Sequence, residues 1–246
     1  MVRRANHMNE FTPILGALAG GIFPALAWLW FWRREDRAHP EPRKLIALAF
    51  LAGMIAVIVV IPLQKFVAPF LVSQTLLFTA WSAIEEVTKY LAARVTVLWR
   101  REDDEPIDPV IYMVTVALGF AALENTLFLL SPLAGDTAIQ TILTGNLRFV
   151  GATLLHVLSS AVIGVALAFS FYKPPRTKFK AACIGVILAI TLHSSFNFLI
   201  LNTAEEHLLR TFGLVWLCLV ALLAVLEYIK RIHPAVVRRI SNKPWR

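Results

Sequence analysis

A run of about 20 apolar residues carries a helix across a bilayer core about 30 Å thick. This chain has seven such runs, at residues 11–32, 45–64, 72–99, 109–131, 148–172, 181–202 and 211–229. The expected fold class is therefore all-α, a polytopic transmembrane helical bundle of about seven spans. Composition agrees: 58% of the 246 residues are hydrophobic and only 16% charged, where soluble domains carry about 25% charged residues. The linkers between runs leave no room for a separate soluble domain, so residues 1–246 read as one integral membrane domain. The first run is too long for the apolar region of a signal peptide and ends in a positive cluster, so it is expected to stay as a span.

Basic residues set the orientation. Arg33, Arg34, Arg37, Arg43 and Lys44 separate spans one and two, and Arg100 and Arg101 follow span three. Lys173, Arg176, Lys178 and Lys180 follow span five, and six Lys or Arg residues fill the tail from Lys230. The alternate loops hold only Arg3 and Arg4 at the start, then Lys65, Arg148 and Arg210 singly. Positive residues accumulate on the cytoplasmic side, which puts the N-terminus outside and the C-terminus in the cytoplasm. The same clustering accounts for the net charge of +8 and argues against a nucleic-acid partner; the lipid bilayer is the expected one. Cys183 and Cys218 sit inside apolar runs and read as small hydrophobes. Pro24 and Pro62 are expected to kink spans one and two, and Gly16 with Gly20 to seat a close helix contact.

Against this background the stretch WSAIEEVTKYL, residues 81–91, is anomalous: it places Glu85, Glu86 and Lys89 inside span three. Span four carries Glu124 and Asn125, span five His156 followed by Ser159 and Ser160, and span six His193 and Asn197. Helical rise from each cytoplasmic end puts Glu85 at about 21 Å, Glu124 and His156 at about 24 Å, His193 at about 20 Å and Asn197 at about 25 Å, with Lys89 lower, near 15 Å. Four helices of alternating direction thus bring polar groups to one level in the outer half of the bilayer. Three carboxylates and a Lys at such depth cost on the order of 10 kcal/mol to insert. Residues of this kind face a bundle interior or water and mark function.

Spacing shows which groups share a face. Lys89 is four residues from Glu85 and three from Glu86, within reach of either, and His193 and Asn197 are four apart. Asn125 alone suits an interhelical hydrogen bond, and the two Ser after His156 suit packing. A carboxylate can act as general base towards water, and an Asn or His can donate to a developing oxyanion; together they suit amide hydrolysis. Two His and a carboxylate with an open position also make a catalytic zinc set, for which His156, His193 and Glu124 are candidates. No HExxH stretch is present, and residue types alone leave both chemistries open.

The order of these groups is familiar. EEVTK at 85–89 fits EExxK, FAALEN at 120–125 fits FxxxEN, and His156 and HSSFN at 193–197 follow as an isolated His and HxxxN. The chain resembles the PrsW family of intramembrane proteases, distant relatives of the CAAX-prenyl endopeptidases and bacterial CPBP proteins. The likeness covers roughly residues 81–200, and the catalytic core is placed at 72–202. It implies a prokaryotic cell-membrane endopeptidase that cuts single-span membrane proteins, anti-sigma factors among them, near the extracytoplasmic face. Glu85 would then be the water-activating carboxylate and Glu86 its partner. Lys89 would neutralise and orient the pair, His156 and His193 would polarise water or bind metal, possible zinc included, and Asn197 would complete the oxyanion site. Glu124 and Asn125 stand where CAAX endopeptidases typically have FxxxH, which argues against a prenyl-CAAX substrate. Two other readings use the same residues: a proton-coupled transporter, for which inverted repeats or broken helices would be expected, and a non-catalytic membrane sensor or scaffold with an ionic core.

Overall fold

Each apolar run folds as one helix. In the computed structural model, which describes residues 3–35, 39–130, 138–202 and 208–232, these are α1 (Arg3–Trp32), α2 (Arg43–Val67), α3 (Gln74–Thr96), α4 (Asp108–Leu130), α5 (Ala138–Phe169), α6 (Pro175–Asn202) and α7 (Leu208–Ile229). Side chains are described over 14–35, 39–130, 151–199, 210 and 213–232. Among the described residues there is no strand, and a single 3₁₀ turn, Ala68–Phe70, extends α2. Arg37 and the basic tail residues Arg238, Arg239, Lys243 and Arg246 lie outside the described residues, as do the side chains of Arg3, Arg4 and Arg148. Among the later helices the largest departure from the expected limits is at α5, which begins at Ala138 rather than 148, and α6 begins at Pro175 rather than 181. Proline at the first helical position has its fixed φ suited to the helix and lacks only an N–H that would have no partner there.

Five helical stretches among the described residues are long and apolar enough to cross a membrane: Ile14–Trp32, Arg43–Phe70, Asp108–Leu130, Gly151–Phe169 and Pro175–Leu199. The apolar part of α7, Gly213–Ile229, is shorter. Helix α3 falls short for another reason: every 18-residue stretch of it contains Glu85, Glu86 and Lys89.

The sequence of α4 is apolar nearly all round, and such a helix must be wrapped on every side. It is the centre of the bundle, with residues 107–122 buried without interruption. Helices α1, α2 and α5 pack directly on it, α6 and α7 pack on α5, and α3 bridges α2 and α6. At the crossing of α2 and α4 the backbones touch. A Cβ on Gly119 would collide with the carbonyl oxygen of Phe50, and one on Gly53 with that of Val116. Of the two glycines expected to seat a close contact, Gly20 does so and Gly16 does not: nothing lies near Gly16, while a Cβ at Gly20 would press on Leu129 and one at the neighbouring Gly21 would collide with Thr126. Both α1 and α2 continue as helices through Pro24 and Pro62. We expect Gly119→Val to destabilise the fold by about 1–3 kcal/mol, the usual penalty of overpacking, with the backbone contact keeping it at the upper end; thermal unfolding in detergent measures it.

The basic ends of the helices meet on one face. Lys230 Nζ, just past α7, donates to Glu35 Oε2 after α1 at 2.8 Å. His39 Nδ1 pairs with Glu105 Oε1 at 2.7 Å, joining the α1–α2 linker to the α3–α4 loop. The Tyr112 hydroxyl of α4 donates to Glu41 before α2.

Candidate active site

The other end of this architecture follows from the up-and-down order of the helices. Glu85 and Glu86 lie midway along α3, Glu124 near the end of α4, His156 in α5 and His193 in α6. Adjacent helices run in opposite directions, so late positions on α4 and α6 face middle positions on α3 and α5. Glu86 and Lys89 are fully buried, and Glu85, His156 and His193 retain 5%, 3% and 2% of their exposure. Charges withdrawn from water this completely require partners, and the partners are specific.

Glu86 is the most heavily bonded. Its Oε1 accepts from Lys89 Nζ at 2.8 Å and pairs with His193 Nδ1 at 2.8 Å. Its Oε2 accepts from Ser160 Oγ at 2.8 Å. Lys89 Nζ lies a further 2.9 Å from His156 Nδ1 and 3.9 Å from Glu85 Oε2, with the Phe120 ring beneath it at 4.4 Å. His156 Nε2 meets Glu124 Oε2 at 2.6 Å. Glu85 Oε1 accepts from Gln64 Nε2 of α2 at 2.8 Å, whereas its Oε2 is buried with no hydrogen-bond partner among the described residues.

These contacts fix the imidazoles. A carboxylate can only accept, so His193 carries its proton on Nδ1 towards Glu86 and His156 carries its own on Nε2 towards Glu124. The His156 Nδ1 lone pair then accepts from Lys89 Nζ at 2.9 Å, with Glu85 Oε2 3.8 Å away, while the lone pair of His193 Nε2 lies 3.6 Å from Glu85 Oε2. The two rings stand edge to face, centroids 5.1 Å apart. Three acceptors thus converge on one small volume, and Lys89 is the cation beside it.

Such a centre fits a metal. Glu85, His156 and His193 each offer one ligand atom, all within 4.8 Å of one another. The donor set of two His and one carboxylate is that of catalytic zinc. Each imidazole also gives its other nitrogen to a carboxylate, the arrangement that orients metal-binding histidines. With neutral imidazoles, three carboxylates against one ammonium leave a surplus of two negative charges, which a dication offsets. Glu85 stands in this set where the sequence analysis had Glu124; Glu124 instead backs His156 and is the most exposed of the carboxylates, with 38% of its side-chain surface open.

The remaining candidates lie around this centre. Asn197 is half-buried and its Nδ2 donates to Ser82 Oγ at 3.4 Å, closing the seam between α3 and α6. Asn125 Nδ2 donates to Thr153 Oγ1 at 3.1 Å, the interhelical bond expected of it. Ser159 bonds back to the Leu155 carbonyl of its own helix. Ser160, read from sequence as packing, is instead a ligand of Glu86. Sequence reasoning also passed over Gln64 and Ser82; the available signal was a lone amide in the last turn of α2 and a hydroxyl one turn before Glu85. Beyond Ser82 and Asn197, a cavity of about 390 Å³ opens between α3 and α6, lined by Thr75, Phe78, Thr79, Ser194, Ser195 and Phe198 among others.

Comparison with known proteins identifies the family. The model of the PrsW family of intramembrane metalloproteases matches residues 41–226, and the chain belongs to this family. Its relatives include proteins named protease PrsW from Geobacillus kaustophilus (29% identical, covering 82% of this chain and 86% of the relative) and Oceanobacillus iheyensis (26%, covering 85% and 94%). A third, from Bacillus subtilis, is 23% identical over 74% of this chain and 82% of its own length. No solved structure matches the chain. The protein is therefore an intramembrane protease, and its apolar helices and bacterial relatives point to a prokaryotic membrane protein.

Proposed function

We propose that this protease hydrolyses a peptide bond of a single-span membrane protein, of the anti-sigma-factor kind, near the extracytoplasmic face. The polypeptide is one integral membrane domain of seven spans in a prokaryotic cell membrane, with its N-terminus outside and its C-terminus in the cytoplasm. Its catalytic core lies at about 72–202. The orientation is supported by the meeting of the basic helix ends on one face, the face that carries Glu35–Lys230 and His39–Glu105. The site lies on the far side of the bundle centre from that face.

The observation that carries the reading is Glu85 Oε2, a buried carboxylate oxygen with no hydrogen-bond partner among the described residues, 3.6 Å from His193 Nε2 and 3.8 Å from His156 Nδ1. In the reaction, Glu85 Oε2 accepts a proton from water held against His193 Nε2, and the water oxygen adds to the scissile carbonyl. The Asn197 carboxamide turns from Ser82 to donate to the resulting oxyanion. Glu85 returns the proton to the departing amine as the C–N bond breaks. Glu86, clamped by Lys89, His193 and Ser160, keeps the His193 ring in register, and Glu124 does the same for His156. Glu85, His156 and His193 would hold a zinc ion; zinc when bound supplies a Lewis acid and a water that is nucleophilic at neutral pH.

A transporter or a scaffold could carry the same ionic groups, and membership of the PrsW protease family is what favours hydrolysis over both. The test compares membranes carrying the wild-type chain with membranes carrying His193→Ala, profiling new peptide termini on the outer side of single-span proteins and measuring the metal content of each purified protein. We expect cleavage and about one zinc per chain in the wild type, and neither in the variant. Equal termini in both membranes would overturn the assignment, and a metal-free wild type that still cleaves would assign water activation to Glu85 alone.

A further inference from the structure

Glu85 can serve this site only if one of its oxygens is aimed at the imidazoles, and nothing on its own helix does the aiming. Lys89, four residues on, is engaged with Glu86 and His156 at 2.8 and 2.9 Å and stands 3.9 Å from Glu85 Oε2, beyond hydrogen-bonding range. Among the described residues, the one short hydrogen bond to the Glu85 carboxylate comes from Gln64 Nε2, at 2.8 Å to Oε1. Gln64 belongs to α2, outside the stretch that carries the family's motifs, and its side chain is half-buried.

From these contacts we infer that Gln64 is the positioning residue of the catalytic carboxylate; the inference rests on the reading of Glu85 given above. An ionised carboxylate turns readily about its terminal torsion, which has no steep wells. A donor on Oε1 removes that freedom and commits Oε2 to the space between His156 and His193. Gln64 is itself held firmly. Its carbonyl accepts the Ala68 N–H as α2 passes into the 3₁₀ turn, and Pro62, two residues earlier, restricts the backbone of the same turn. Helix α2 is in turn locked to α4 at Gly53 and Gly119. Orientation of the reacting oxygen is therefore referred to the bundle centre, through α2, rather than to the helix on which Glu85 resides.

Methionine matches glutamine in length and lacks the donor, so Gln64→Met deletes the bond with little change in volume. Full-length wild type, Gln64→Met and Glu85→Gln are purified in detergent and titrated with Zn²⁺ against a chromophoric chelator, and with Co²⁺ for its d–d spectrum. Thermal unfolding is followed in parallel. We expect Gln64→Met to melt as the wild type does, to bind zinc about 10- to 100-fold more weakly, the usual effect of losing a partner of a metal ligand, and to shift the cobalt bands. Zinc affinity and cobalt spectrum unchanged in Gln64→Met, with Glu85→Gln impaired, would overturn the role of Gln64 alone. Zinc binding undiminished in Glu85→Gln, or absent from the wild type, would overturn the zinc-site reading beneath it.

Discussion

Replacing Glu85 with Gln is expected to cut peptide hydrolysis by about 10²–10⁴, the contribution of a positioned general base, while the protein accumulates and melts like the wild type. The two halves of this expectation come from the same geometry. The new carboxamide can turn its oxygen to Gln64 Nε2, preserving the bond now made by Glu85 Oε1, and present its N–H₂ to the His193 Nε2 lone pair near which Oε2 now lies. A donor among acceptors is well satisfied, so folding does not suffer. The same substitution removes the lone pair needed to take a proton from water. Cleavage of a single-span substrate in membranes, alongside detergent-extracted yield and melting temperature, measures both halves. Wild-type turnover would displace Glu85 from its role, and loss of folded protein would make the residue structural instead.

Lys89→Met should have the opposite signature. Lys89 is fully buried between Glu86 and His156, and its removal leaves Glu86 charged in the core with only His193 and Ser160 as partners. Breaking a buried ion pair from one side costs about 3–5 kcal/mol, against a total stability of about 5–15 kcal/mol. The variant is therefore expected to be recovered in low yield and with a markedly lower melting temperature. Glu86→Gln in the same chain should restore much of the loss, because the second substitution removes the charge that the first exposes. A cycle of the four proteins, read by thermal unfolding, isolates this coupling; additive effects would show that Lys89 and Glu86 do not depend on each other.

The long apolar runs made the helices legible, since each fixes one element by length alone, and the limits of α4 differ from the expected 109–131 by a single residue at each end. The central place of α4 was also latent in its sequence, which offers no polar face. At the site, the charged and imidazole groups stood out because each is costly in hydrocarbon, and the structure brings Glu85, Glu86, Lys89, Glu124, His156 and His193 together through direct contacts. Gln64, Ser82 and Ser160 did not stand out. A single amide or hydroxyl in a membrane helix can bond to its own backbone, as Ser159 does, so residue type does not reveal which of them reaches across to a neighbour. The exchange of Glu124 for Glu85 in the metal set has a similar origin. Spacing fixes the face a side chain occupies, but which of two carboxylates on different helices lies nearer a third depends on how those helices cross.

The glycine contact between α2 and α4 closes more than a gap in packing. With Gly53 and Gly119 leaving the two main chains in touch, neither a lipid tail nor a file of solvent can pass between those helices along that stretch. Traffic to the buried carboxylates is thereby steered to other flanks of the molecule. On the flank of α3 and α6, the packed seam is joined by a long hydrogen bond between Asn197 and Ser82.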